Sequence, residues 1–292
     1  MGDFRTLADD DSRVEADEQG RLADQSLHAH TERLVPKMYE VSDGVWCLVG
    51  NGLSNQTFVR GPEGVIAIDT GESVEEMRSA VDQLRRVSAE PVVAVVYTHF
   101  HYVNGTTALT DHEPINAIWG HERITENLDR SATEIAPAYS RGLVEQFGIQ
   151  LPDEGPDGLV NVGLGLAYRM AHHAPSTPGY VPADRTFAAP VTVKVAGLEM
   201  SVTPAPSDAD DSVTLWFPAL NVAVHNLVWP ALFNVFAIRG EEYRDPRVLL
   251  KGLDHLRSLN AEHLLATHGP PLSGTQEISR RVTAYRDSIQ FL

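Results

Sequence analysis

Two histidines separated by one residue are the strongest chemical signal in this chain. His99 and His101 follow the apolar run at residues 92–97, which is typical of a strand buried on both faces. Alternate residues of an extended segment point the same way, so both imidazoles can face one metal ion. Strand ends that lead into loops are also where α/β folds place ligand sites. The position of the pair, more than the common H-x-H pattern itself, indicates a metal site.

Strand and helix patterns that could position these histidines alternate along most of the chain. Strands are predicted at 45–49, 56–60, 65–69, 92–97, 191–195, 198–203, 213–217, 222–224 and 263–267. Helices are predicted at 73–87, 123–131, 138–147, 247–258 and 276–289. The first helix has Ser73 as N-cap and Glu76 three residues later, the spacing of a capping box. The alternation predicts a layered α/β fold with one domain at 36–292, preceded by a polar N-terminal arm at 1–35.

Charge and composition limit the kinds of molecule that this protein can bind. The 292 residues carry a net charge of −17 and contain no basic run, which argues against nucleic acid and against an anionic membrane surface. No apolar stretch is long enough to cross a membrane. The one cysteine, Cys47, allows no internal disulfide and is expected to be buried. We therefore expect a cytoplasmic protein that acts on a small molecule, with a homodimer as an open alternative.

Residues 98–105 read Thr-His-Phe-His-Tyr-Val-Asn-Gly. They resemble the T-H-x-H-x-D-H motif of the metallo-β-lactamase superfamily, with Val103 at the aspartate position and Asn104 at the third histidine. The segments at 66–71 and 266–269 resemble the strand-Asp-x-Gly element and the final metal-histidine loop of that superfamily. These blocks extend from about residue 40 to residue 275. The resemblance implies an αββα sandwich.

Within the superfamily, the chain is similar to the alkyl sulfatases at residues 53–59, 204–208 and 215–218. Asp208 falls where those enzymes have a glutamate ligand. After one deletion, His225 and Asn226 fall at the bridging glutamate and its Asn neighbour. Arg239 corresponds to the arginine that grips the sulfate group, although a buried salt bridge is an equal alternative for this residue.

The resemblance implies a set of site residues. The expected metal ligands are His99, His101, Asp208, His225 and His268. Asp69 and Asn104 are expected to support them through hydrogen bonds. The expected substrate-binding residues are Arg239, Trp229, Phe233 and Tyr102, although the apolar segment at 227–236 is also compatible with core packing. A second metal would need further groups, for which Tyr102, His172, His173, Asp210 and Asp211 are candidates that match no part of the motif.

The altered motif suggests a change of chemistry. Val103 cannot bind a metal, and the remaining set is rich in neutral nitrogen with one carboxylate, as in non-haem Fe(II) oxygenases. We therefore predict a non-haem iron monooxygenase with one or two Fe ions, which hydroxylates a bulky apolar acid in natural-product biosynthesis. The first alternative is a hydrolase of sulfate or carboxylic esters, with Zn in place of Fe. The second is a non-catalytic binding protein with an eroded site.

Overall fold

The computed structural model describes residues 11–228 and 244–291. The chain begins with a short hairpin and a helix: β1 Val14–Ala16, β2 Leu22–Asp24 and α1 Gln25–Thr31. This segment lies against a later loop, where His30 Nε2 is 2.6 Å from the Gly163 carbonyl oxygen and Asn161 Nδ2 donates to the Leu27 carbonyl over 3.0 Å. The boundary of the predicted arm at residue 35 remains a prediction.

The first large sheet has seven strands in sequence order, with β6 to β9 parallel to one another. Its strands are β3 Lys37–Ser42, β4 Val45–Val49, β5 Gln56–Gly61, β6 Gly64–Ile68, β7 Val92–Val96, β8 Ala117–His121 and β9 Arg185–Phe187. Its helices are α2 Val74–Leu84, α3 Thr107–Thr110, α4 Ile124–Thr133 and α5 Ala136–Phe147. Sequence patterns missed β3, β8 and β9, which are partly exposed and lack a continuous apolar run.

The second sheet has six strands, also in sequence order. They are β10 Val191–Val195, β11 Leu198–Pro204, β12 Val213–Phe217, β13 Val222–His225, β14 His263–Ala266 and β15 Leu272–Ser273. Two helices belong to this half, α6 Pro246–Ser258 and α7 Thr275–Phe291. Strands β13 and β14 run parallel, so their carboxyl ends meet at one edge.

Three of the apolar clusters among the described residues lie between the layers of the sandwich. One lies between the sheets and includes Ile66, Val96 and Leu215. Another joins the first sheet to its helices around Met77, and a third joins the second sheet to α6 and α7 around Leu253. Helices therefore cover the outer face of each sheet, and the predicted αββα sandwich is confirmed. Among the described residues, no helix is both long and apolar enough to cross a membrane.

The two sheets are tied together at the edge that carries the histidine motif. The backbone N–H of Val213, on β12, donates to the Thr98 carbonyl oxygen over 3.0 Å, and that of Asn55 donates to Thr267 over 2.7 Å. The strand ends of β7 and β14 thereby come to the same edge of the sandwich. Residues more than a hundred positions apart in sequence can meet there.

Glu76 differs from its predicted role. Ser73 does cap α2, because its Oγ accepts the backbone N–H of Glu76 over 3.1 Å. The Glu76 carboxylate, however, is buried and accepts hydrogen bonds from Gln56 Nε2 at 2.8 Å and from the Glu72 backbone at 3.2 Å. It does not complete the capping box. Burial raises the pKa of Glu76 from 4.5 to about 7.

We expect Glu76→Gln to change how stability depends on pH. As pH rises, the unfolded chain loses this proton near pH 4.5 and the folded chain near pH 7, so the carboxyl makes the wild type less stable across that window. The loss amounts to about 3 kcal/mol at most. Urea denaturation between pH 5 and 8 measures the free energy of unfolding of both proteins. The value for the variant minus that for the wild type should increase with pH and become constant above about pH 7.

The adjacent Glu75 provides a control. Desolvation alone would raise the pKa of Glu75, but two hydrogen bonds from Thr177 and the charge of Arg78 together outweigh it and lower the pKa. Both the folded and the unfolded chain have therefore lost the Glu75 proton by about pH 5, so Glu75→Gln should differ from the wild type by a constant amount between pH 5 and 8. A stability difference between Glu76→Gln and wild type that is constant with pH would contradict the assignment.

Candidate metal centre

A chain of hydrogen bonds fixes the orientation of His99. Asp69 Oδ1 accepts from the Thr98 backbone N–H at 2.8 Å, and Asp69 Oδ2 accepts from the Thr98 hydroxyl at 2.6 Å. Thr98 Oγ1 lies 2.8 Å from His99 Nδ1. Because the hydroxyl proton is given to Asp69, His99 Nδ1 must donate its own proton to Thr98. His99 Nε2 is left with a lone pair, the form that binds a metal ion.

His101 and Asp208 complete a group of three donors. His101 Nδ1 lies 2.7 Å from Asp208 Oδ2, and His99 Nε2 lies 3.6 Å from the same oxygen. The ligand atoms of His99, His101 and Asp208 all lie within 4.8 Å of one another. Two imidazoles and one carboxylate form a donor set that fits a single divalent ion.

Arg244 holds the other oxygen of Asp208. Its Nη2 donates to Asp208 Oδ1 at 2.6 Å and to the Asp208 carbonyl at 2.8 Å, and both side chains are buried. Burial alone would raise the pKa of Asp208, but the charges of His101 and Arg244 outweigh it and hold the pKa well below 3.8. The carboxylate is therefore ionised, with Oδ2 directed to the histidines.

His225 lies on a different face of the second sheet from Val224. Side chains alternate along a strand, and Val224 packs between the sheets whereas Ala223 packs against the helices. His225 Nδ1 accepts the backbone N–H groups of Leu227 at 2.9 Å and Val228 at 3.3 Å. His225 is buried, which lowers its pKa to about 3. The structure does not include it in the group of three converging donors.

His268 also lies outside that group. Its Nδ1 is 2.9 Å from the Leu53 carbonyl oxygen and must donate to it, so Nε2 carries the lone pair. The Tyr102 hydroxyl lies 3.4 Å from that Nε2, and the edge of the Tyr102 ring meets His99 with ring centres 5.2 Å apart. Burial lowers the pKa of His268 to about 4 and keeps it neutral. Tyr102 thus lies between His99 and His268.

Neither of the two altered motif positions supplies a metal ligand in the described structure. Val103 is buried in the core between the first sheet and its helices. The Asn104 backbone bonds to Gly71 and Gly179, and among the described residues no hydrogen bond of its side chain is seen. Three predicted substrate-binding residues, Arg239, Trp229 and Phe233, lie outside the described residues.

The residues suggested as ligands for a second metal either bind other groups or lie away from the three donors. Asp210 pairs with Arg123 and Asn127. Asp211 is buried with a pKa raised by desolvation to about 7. His173 Nε2 lies 2.7 Å from the Asn51 carbonyl, and its neighbour His172 is exposed. Within residues 11–228 and 244–291, none of these groups joins the cluster of donors.

Two residues that contact the three donors were not predicted to do so from the sequence. Arg244 precedes the N-cap of α6, and nothing in its local sequence distinguishes it from an exposed arginine. Asn226 Nδ2 lies 3.3 Å from His99 Nε2. The resemblance to the alkyl sulfatases placed Asn226 next to an expected metal ligand, and this was the only indication in the sequence that Asn226 lies near the site.

Comparison with known proteins identifies the fold family. Residues 49–185 match the sequence profile of the metallo-β-lactamase superfamily. The chain carries a metallo-β-lactamase superfamily domain. The solved structure of the stereoselective inverting sec-alkylsulfatase Pisa1 from Pseudomonas sp. has the same fold, with a TM-score of 0.82 and 21% identity over 92% of this chain and 44% of that one. A metallo-β-lactamase family protein from Thermus thermophilus matches with a TM-score of 0.58, at 18% identity over 86% of this chain and 80% of the other.

Curated relatives are alkylsulfatases. A linear primary-alkylsulfatase from Pseudomonas sp. (strain ATCC 19151) is 32% identical over 80% of this chain and 45% of its own length. An (R)-specific secondary-alkylsulfatase from Pseudomonas sp. is 25% identical over 89% of this chain and 39% of its own. The chain therefore spans less than half the length of these relatives.

The prediction of a non-haem iron monooxygenase is wrong. The relatives are alkylsulfatases, which are hydrolases, and iron and natural-product biosynthesis find no support among them. That prediction rested on the abundance of neutral nitrogen in a ligand set that added His225 and His268 to His99 and His101. In the structure the carboxylate of Asp208 joins two histidines, a composition that is equally suited to a hydrolytic metal.

Proposed function

We propose that this chain is a metal-dependent hydrolase of alkyl sulfate esters. The convergence of His99, His101 and Asp208 at the strand ends carries the proposal, and the alkylsulfatase relatives support the choice of a sulfate ester over a carboxylic ester. His99, His101 and Asp208 would hold one divalent ion. When bound, such an ion supplies Lewis acidity toward a sulfate oxygen. The identity of the metal is left open, with Zn as the first candidate to test.

A cavity beside Asp208 suits an alkyl group. It has a volume of about 330 Å³ and is bounded on one side by Asp208 and Arg244. Its apolar lining comes from Phe100, Ile135, Pro206, Ala209 and Val248, and its charged lining also includes Arg130, Asp210 and Asp245. Substrate pockets combine a mostly apolar wall with a few polar groups that orient the ligand. An alkyl chain lying in this cavity would bring its ester group to Asp208.

The other residues around the three donors have supporting roles in this proposal. Asp69 and Thr98 keep the proton of His99 on Nδ1. Arg244 keeps Asp208 ionised, and the Asn226 amide faces His99. Tyr102, which precedes Val103 and Asn104 in sequence, donates its hydroxyl proton to His268. We therefore propose a single bound ion, held by His99, His101 and Asp208.

The proposal predicts metal-dependent sulfate release. Protein reconstituted with Zn²⁺ or Mn²⁺ should release inorganic sulfate from a linear alkyl sulfate, and chelation should remove the activity. The rate should be the same with and without O₂. Matched carboxylic esters test the other hydrolase alternative. Metal bound at one equivalent without sulfate release from primary or secondary alkyl sulfates would contradict the proposed substrate class.

A further inference from the structure

A second cavity lies on the helix-covered face of the second sheet. Its volume is about 410 Å³. Leu264 and Ala266 of β14 form one wall, and Ala284, Tyr285 and Ser288 of α7 form another. The group of three donors and the cavity beside Asp208 share none of these wall residues. The alkylsulfatase proposal assigns this cavity no role.

Among the described residues, the arginines at the cavity outnumber the carboxylates that pair with them. Arg33, Arg280 and Arg281 line the cavity, and among residues 11–228 and 244–291 no carboxylate does. Glu277 accepts from Arg280 Nε at 2.8 Å and from Arg281 Nε at 2.6 Å, so one carboxylate serves two cations. The Arg33 side chain has no hydrogen bond or ion pair with the part of the chain that the structure describes. In a protein with net charge −17, these cations would attract an anion locally.

A buried neutral donor lies in the same cavity. His225 lines it, and its Nδ1 already accepts the backbone N–H groups of Leu227 and Val228. The imidazole proton is therefore on Nε2, which is left as a donor. Leu264, Leu272 and Pro270 add apolar surface. Cations, a fixed N–H donor and apolar walls together match an anion that has an apolar part.

We propose that this cavity binds a small organic oxyanion, a carboxylate or a sulfate, through Arg33 and Arg281, with its apolar group against Leu264 and Leu272. None of the three donors lines this cavity, although His268, which contacts Tyr102 beside His99, forms part of its wall. The proposal does not rest on the proposed sulfatase activity. Hexanoate, hexyl sulfate and inorganic sulfate are suitable probes, because the first two share the apolar part and the last two share the head group.

Calorimetric titration of the metal-loaded chain with hexanoate tests the site. Arg33→Ala and Arg281→Ala should each weaken hexanoate binding about tenfold, since each removes a charged hydrogen-bond donor. Arg257→Ala is the matched control, because its side chain is 43% exposed against 45% for Arg281 and it does not line the cavity. Its affinity should equal that of the wild type, and all three variants should keep their metal.

Two further comparisons separate the sites. Hexanoate should still bind to His99→Ala, and inorganic sulfate should bind more weakly than hexyl sulfate because it lacks the apolar group. Equal affinity of the three arginine variants would overturn the proposal. So would loss of hexanoate binding in His99→Ala with binding retained in Arg33→Ala, since the anion would then bind at the metal centre. Sulfate release is measured separately, so failure of that activity leaves this test intact.

Discussion

His99→Ala is expected to remove metal binding and sulfate release together. His99 Nε2 is one of three donors that converge within 4.8 Å, and its lone pair is kept free by the bond from Nδ1 to Thr98. Hydrogen-bond partners that only orient a metal ligand contribute about 10- to 100-fold to metal affinity. Loss of the ligand itself should therefore lower metal affinity by more than about 100-fold. Metal content after dialysis and the rate of sulfate release are the two measurements.

The control is His112→Ala. His112 is exposed and lies outside the group of donors, so the variant should keep wild-type metal content and rate. Circular dichroism should show both variants folded, because His99→Ala removes a side chain at the edge of the sandwich and leaves its three cores intact. Full metal occupancy in folded His99→Ala would contradict the assignment of the site.

Arg244→Leu is expected to destabilise the metal-free protein by about 3–5 kcal/mol. The change removes the buried arginine that pairs with Asp208 Oδ1 and leaves His101 as the remaining cationic neighbour of the carboxylate. Removing one partner of a buried ion pair is strongly unfavourable. Metal binding returns a positive charge to the same carboxylate, so the loss should be smaller in the presence of Zn²⁺. Urea denaturation with chelator and with metal measures both values of the free energy of unfolding.

Two variants check the cause of this effect. Arg247→Leu removes an arginine that is 85% exposed and paired with Asp245, and should change stability by at most about 0.5 kcal/mol. Asp208→Leu combined with Arg244→Leu removes both buried charges and should recover much of the lost stability. An Arg244→Leu protein as stable as Arg247→Leu would show that the pair contributes little.

Much of the architecture could be predicted because its signals are local. The apolar runs at β4, β6 and β7 are buried along their whole length, and the capping Ser73 begins α2 as expected. The same patterns could not reveal β3 or β9, because edge strands are partly exposed and bury fewer side chains. They also could not predict that Glu76 is buried beside Gln56, since that contact joins residues twenty positions apart.

The sequence by itself determined the layered sandwich, the strand-end histidine pair and the loss of two motif ligands at Val103 and Asn104, because each of these depends on neighbouring residues. Only the tertiary structure decided which distant groups join that pair. Asp208 reaches His101 across 107 positions, and Arg244 then neutralises Asp208 across another 36. The tertiary structure also decided that His225 faces the helices. A strand has two faces, and its sequence pattern alone does not say which face lies toward the metal site.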